Sequence, residues 1–235
     1  MALFRRKKDE EPEDAVEAAP AEDVPAAPPA PSRPQGPWDV ADAPEDDVQR
    51  LDLGGLRVPV PPQTEVRVEV SPEGQVVAAT LVRAGSAMQV SAFAAPRSEG
   101  IWFEVREEIA GSLREGGGTA QEVDGAWGVE LQATVPTDVP GGGRQLLPAR
   151  FVGVDGPRWF LRAMLTGPAA IDTAAAAELR AALRDVVVVR GSDPMAVRDP
   201  LPLRLPKDVQ QAAEQAARPQ APQVPERGPE ITEVR

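Results

Sequence analysis

The sequence predicts an α+β domain: a single antiparallel sheet of about six to eight strands with two main helices, flanked by arms without regular structure. Three observations carry this expectation. Apolar residues alternate with polar ones through most of residues 48–207, the pattern of half-buried strands. That period gives way to helical spacing in two stretches only. Outside these residues the chain is largely Pro, Ala, Glu and Asp, with too little bulky apolar surface to offset the entropy of ordering it. The expected division is an acidic Pro/Ala-rich arm over 1–35 with a basic tip, one domain over 36–207, and a tail over 208–235 that can begin with a short helix.

Within the domain, Leu56, Val58 and Val60 mark a first strand, and Val66, Val68 and Val70 a second. Ser71-Pro72-Glu73-Gly74 has the composition of a turn, with Pro second and Gly fourth. It leads into a strand over 75–83 and another over 87–94, with Val90 and Ala92 on one face. Trp102, Val105, Ile109 and Leu113 then recur at helical spacing. Ser98 is placed to cap that helix, and Gly116-Gly117-Gly118 to stop it. Strand pattern returns at Trp127, Val129, Leu131 and Ala133, followed by a Gly-rich connection over 140–143. Residues 145–154 and 158–166 flank Asp155-Gly156, a hairpin signal, with Pro157 opening the second strand. Asp172 or Thr173 caps a second helix running through Leu179 and Leu183 to Arg184. Residues 186–189, all valine, read as a buried strand or helix exit. Residues 193–206 hold four prolines and must run extended and edge-like, because proline cannot donate to an interior ladder.

The chain contains no His, Cys, Tyr or Asn. No imidazole base, thiolate nucleophile or zinc–thiolate site is therefore available. The formal net charge is −12, and residues 1–47 hold 13 acidic and 5 basic side chains of it. The domain itself is nearly balanced, which argues against nucleic acid as its ligand. No apolar run approaches the ~20 residues of a transmembrane helix, and MALFRRKK lacks the apolar stretch of a secretory signal. Absence of Cys fits a reducing compartment, so the expected location is cytoplasmic. The bias toward Ala, Val, Arg, Gly and Pro also fits a GC-rich genome.

Several residues stand out chemically. Gly116–Gly118 and Gly141–Gly143 lack the Gly-Lys-Ser/Thr context of a phosphate loop, and read as a helix stop and a mobile connection. Glu104 and Glu108 lie one helical turn apart; with no other convergent ligand evident, they read with Glu107 and Glu115 as a solvated face. Arg144, Arg150, Arg158 and Arg162 fall in or near the expected hairpin. Arg150 and Arg162 would face each other there as an anion patch, against the ordinary role of arginine in keeping strand faces soluble. Trp102, Trp127 and Trp159 occupy apolar positions and read as core. Trp38, in Gly36-Pro37-Trp38-Asp39, either docks the arm onto the domain or meets a partner, and docking is the favoured reading. Arg5, Arg6, Lys7 and Lys8, beside Phe4, can touch anionic lipid or nucleic acid, although the acidic run from Asp9 follows at once.

Met1–Lys7, Gly36-Pro37-Trp38-Asp39, the stretch LDLGGLRVPVP over 51–61, GPRWFLR over 156–162 and the closing 200–206 together resemble an actinobacterial family catalogued as domain-of-unknown-function family 3710. The resemblance spans about 36–207 and supplies no catalytic residues. Members tend to be encoded near dUTPase and an OB-fold protein, which implies a setting in nucleotide or nucleic-acid housekeeping. The element order also looks like the Mog1/PsbP-type α/β/α sandwich, whose members are mostly binding or assembly factors; function does not follow from fold alone.

The expected function is a non-enzymatic protein-interaction or assembly module of the cytoplasm, with a protein partner and no cofactor. One alternative is a binder of nucleotides or phosphorylated small molecules, or an enzyme acting on them, that works through Arg and carboxylates. The other is weak membrane or nucleic-acid association through the basic tip.

Overall fold

The computed structural model describes residues 36–72, 75–97, 100–138 and 141–205. In chain order they form β1 (Trp38–Asp39), β2 (Arg50–Asp52), β3 (Leu56–Pro59), β4 (Glu65–Val70), β5 (Val76–Arg83), β6 (Ser86–Ala94), α1 (Trp102–Glu115), β7 (Thr119–Gly125), β8 (Gly128–Asp138), β9 (Arg144–Gly156) and β10 (Trp159–Thr166). A 3-10 turn (Gly167–Ala170), α2 (Thr173–Arg184) and β11 (Val187–Val188) follow. The fold is α+β, with a seven-stranded antiparallel sheet in the order β4-β5-β6-β10-β9-β8-β7. A second sheet, ordered β1-β11-β3-β2, stands beside it and was not part of the single-sheet expectation. Its β1–β11 pair is parallel, Trp38 opposite Val187 and Asp39 opposite Val188.

Alternation along β10 divides the core. Trp159, Leu161, Ala163 and Leu165 pack with α2 residues Ala176, Leu179, Ala182 and Leu183 and with Leu56 and Val58 of the small sheet. Phe160 points to the other face and packs with Trp102 and Ala110 of α1 and with Leu131 and Phe151. The large sheet therefore lies between α1 on one side and α2 with the small sheet on the other.

Local chemistry sets the ends of these elements. Ala84 and Gly85 both have positive φ, 46° and 75°, and join β5 to β6 in a two-residue loop whose twist suits a hairpin. The α1 stop falls where the glycines predict it: Gly117 takes φ 88°, and the Gly118 N–H bonds back to the Leu113 carbonyl at 2.7 Å. Asp172 caps α2 by accepting the Ala174 N–H at 2.8 Å. Beyond β11, a turn at Val197-Arg198, with Arg198 at φ 73°, precedes an extended run over 199–203. Leu201 N–H bonds to Ala92, and Ala94 N–H to Asp199, so this segment pairs the stretch of β6 that β5 leaves uncovered. Leu203 bridges Gly54 and Val76, tying the two sheets together.

Two local expectations are corrected, and a third, the Ser98 cap of α1, lies outside the described residues. The helix starts after Ile101, and Asp155 reaches across from β9 to accept the Ile101 N–H at 2.8 Å. Because Asp155 is engaged there, Asp155-Gly156 is not the hairpin turn. Both residues are in β9, Gly156 pairs with Trp159, and Pro157-Arg158 form the turn with Arg158 at φ 64°. Pro157 thus precedes β10 rather than opening it. Lastly, four strands separate the helices instead of three, because β7 pairs along β8 at the sheet edge. Glu73 and Gly74 of the expected first turn, and the expected helix at the start of the tail, lie outside the described residues.

Candidate functional site: a tryptophan-walled cleft

All four tryptophans of the chain line one cleft of about 530 Å³. Each stands at the end of an element, and each follows a glycine by two or three residues. Trp38 follows Gly36 at the entry to β1, and Trp102 follows Gly100 as the first residue of α1. Trp127 follows Gly125 in the β7–β8 turn, and Trp159 follows Gly156 as the first residue of β10. Glycines also let the rings lie close to backbone. A Cβ on Gly153 would overlap the Trp102 ring, and one on Gly156 would overlap the Trp159 ring. Gly36 sits at φ 50° against the Arg184 carbonyl, where no side chain fits.

Three of the four indole N–H groups are tied to the framework. Trp102 Nε1–H donates to the Val129 carbonyl at 2.6 Å, Trp127 Nε1–H to the Gly36 carbonyl at 2.8 Å, and Trp159 Nε1–H to Asp39 Oδ2 at 2.8 Å. The two last bonds fasten the Gly36–Asp39 element to β10 and to the β7–β8 turn, and its parallel pairing with β11 adds backbone bonds from Trp38 to Val186 and from Val40 to Val188. The element expected to dock is thus docked, with Gly36 and Pro37 buried and Trp38 half-buried. The Trp38 indole N–H makes no hydrogen bond among the described residues. Trp102 and Trp159 occupy core positions, as expected, while Trp127 is half-buried.

The cleft's charge is acidic. Asp39, Asp42 and Asp155 line it, and among the described residues no Arg or Lys does. Asp39 and Asp155 accept only from neutral donors: the Trp159 indole and Ala41 N–H for the first, and Ile101 and Trp102 N–H for the second. Asp42 is exposed at the rim. Guanidinium groups already lie over two of the indoles without lining the cleft. Arg180 and Arg184 stand 5.8 and 5.7 Å from the Trp127 ring centre, and Arg106 stands 5.8 Å from that of Trp102.

The four arginines read as an anion patch are not brought together. In the β9–β10 register Arg150 pairs with Leu165 and Arg162 with Gly153, which puts the two on opposite faces. Arg150 lies on the α2 side, its Nε 2.9 Å from buried Glu130 as an ion pair without hydrogen-bond alignment. Arg180 completes that pair with bonds of 2.9 and 2.6 Å to the Glu130 carboxylate. Arg162 lies on the α1 side, stacked 5.5 Å over Phe93, and burial holds its guanidinium below its ordinary pKa. Arg144 is at the start of β9 near Asp138, and Arg158 donates from the turn to the Gly191 carbonyl at 2.6 Å. Glu104 and Glu108, expected to be a solvated face, both hold Arg198 of the closing segment, at 2.9 and 2.8 Å. Those bonds keep the Arg198 pKa above its ordinary value. Gly141, Gly142 and Gly143 all have positive φ in the β8–β9 connection. Arg5, Arg6, Lys7 and Lys8 lie outside the described residues.

Convergence of the tryptophans is what sequence reasoning missed. The signal was the recurrent glycine just ahead of each one, which places all four at turns. No helix of the described residues is long and apolar enough to cross a membrane. Set beside known proteins, the chain belongs to the family whose model is described as "Protein of unknown function (DUF3710)", which matches residues 36–212. No curated protein and no solved structure matches it, so the Mog1/PsbP likeness rests on element order alone.

Proposed function

We propose that the chain is a non-enzymatic interaction module of the cytoplasm that seats a segment of a partner protein in the tryptophan cleft. The observation that carries this reading is the placement of every tryptophan of the chain on one concave surface. Tryptophan is the side chain most enriched among residues that dominate binding energy. Three of these rings are fixed by hydrogen bonds before any ligand arrives. Fixed walls lower the ordering cost of association, and the cleft's volume falls in the range of ligand sites, roughly 300–1,000 Å³. A phosphorylated ligand is disfavoured here, because three carboxylates and, among the described residues, no cation line the cleft. The cytoplasmic assignment is supported by the absence of Cys.

The test is affinity capture with the full chain and with Trp38→Ala, alongside melting curves of both. Trp38 is the half-buried wall whose indole N–H holds nothing in place. The reading expects proteins enriched by the native chain to be lost with the variant while the variant remains folded. Identical captured proteins from both would refute it.

A further inference from the structure

Resting on that reading, we propose that the cleft selects its segment by one cationic side chain, a lysine or an arginine, held against the indole faces between Asp39, Asp42 and Asp155. Three features of the cleft converge on a cation. The rings open to a ligand are half-buried Trp38 and Trp127, with Trp102 and Trp159 only 6 % and 1 % exposed, and the Trp127 N–H is already spent on the Gly36 carbonyl. The face of an indole is the negative region of its quadrupole and attracts Lys and Arg more strongly than any other aromatic side chain does. The molecule shows this attraction itself, with guanidinium groups over Trp102 and Trp127 at 5.7–5.8 Å.

The field in the cleft has the same sign. Asp39 and Asp155 are answered by neutral N–H donors and Asp42 by no side-chain partner among the described residues, which leaves their charge uncompensated within the lining. Of the neighbouring cations, Arg106 is paired with Glu122 at 2.7 Å and Arg180 with Glu130 at 2.6 Å, while Arg158 and Arg190, which border Asp39 and Asp42 in an adjoining pocket, bond the Gly191 and Asp193 carbonyls at 2.6 and 3.0 Å. Negative charge focused in a low-dielectric cleft draws cations and repels phosphates and carboxylates. A space of about 530 Å³ exceeds what one ammonium or guanidinium group fills. It accommodates a side chain together with flanking backbone, which is why the occupant is a protein segment rather than a free small cation.

The experiment is calorimetric titration of the full chain with a short Gly/Ser peptide carrying a central Arg or Lys. Matched peptides carry citrulline, norleucine or Glu at that position, and tetramethylammonium and methylguanidinium chloride serve as free cations. The proposal expects the Arg or Lys peptide to bind at least about tenfold more tightly than the citrulline and norleucine peptides, the Glu peptide not to bind, and added salt to weaken binding. Asp42→Asn, a change at an exposed rim residue, should weaken the basic peptide severalfold and leave the melting temperature unchanged. Equal affinity for the neutral peptides overturns the proposal, as does no binding of either basic peptide at millimolar concentration. In both cases the interaction-module reading still stands if capture depends on Trp38. Methylguanidinium binding as tightly as the Arg peptide overturns the assignment to a protein segment.

Discussion

Gly153→Ala adds one methyl group on the inner wall of the cleft, and the structure assigns it a large cost. Gly153 is in β9, held on one side by pairing with Arg162 of β10 and two residues beyond the last β8 partner of the strand, Phe151. The new Cβ would overlap the Trp102 ring; even Cγ, the third nearest atom, would lie 2.6 Å away. Carbon atoms rest at about 3.5 Å or more. The indole must therefore shift, yet it is stacked on Phe160 at 5.9 Å and bonded through Nε1–H to Val129 at 2.6 Å. Overpacking costs about 1–3 kcal/mol, and a buried donor stripped of its acceptor adds about 1–3 kcal/mol. The sum, about 2–6 kcal/mol, lowers the melting temperature by roughly 4–24 °C for a domain of this size. Thermal unfolding followed by circular dichroism measures it. Trp102→Ala alone should cost about 3–5 kcal/mol, and with the ring gone the three atoms nearest the added methyl are gone too. The double variant should then melt with Trp102→Ala rather than below it, a non-additivity expected of touching residues. A Gly153→Ala protein melting within about 1 °C of the native chain, or full additivity in the double variant, would refute the reasoning.

Two further outcomes follow from contacts described above. Asp155→Ala removes the only side-chain acceptor at the start of α1 among the described residues, and should cost about 0.5–2 kcal/mol in urea unfolding. Asp155→Asn retains an acceptor and should recover most of that loss, whereas an Ala variant as stable as the native chain would show that the cap contributes nothing. Arg162→Met replaces a guanidinium that burial disfavours with an unbranched apolar chain over the same Phe93 ring. A lowered pKa for a cation means that its charge opposes folding at every pH below that value, so the variant should unfold at equal or higher urea concentration near neutral pH. A loss of more than about 1 kcal/mol would mean that Arg162 has an acidic partner.

What was legible in the sequence was local. The helix over Trp102–Glu115 followed from spacing and from the glycines after it, and Asp172 was readable as a cap because it bonds only two residues ahead. β7 escaped notice because TAQEVDG carries almost no apolar alternation. Edge position lets it stay polar, and one of its inward contacts is an ion pair, Glu122 with buried Arg106. The displaced hairpin turn has a non-local cause too, since Asp155 serves a helix more than fifty residues earlier. The cleft depends on the same kind of information. Each glycine–tryptophan pair was visible, but Trp38 is brought to the other three by the parallel pairing of β1 with β11, which joins residues about 150 positions apart. Arginine placement failed for a simpler reason: a shift in where the turn falls decides which strand positions share a face.

The composition that strips this chain of tyrosine also makes it transparent to most optical interference. Near 295 nm only indole absorbs, and every indole here borders the same cleft. The molecule's entire intrinsic emission is therefore reported from one place. Three of its emitters are locked by their N–H bonds and the fourth, Trp38, is not hydrogen-bonded among the described residues, so a spectral shift on adding a ligand belongs to that surface without any label. Replacing Trp38 would silence the emitter without a hydrogen bond among the described residues and leave a fixed three-ring background against which occupancy can be read.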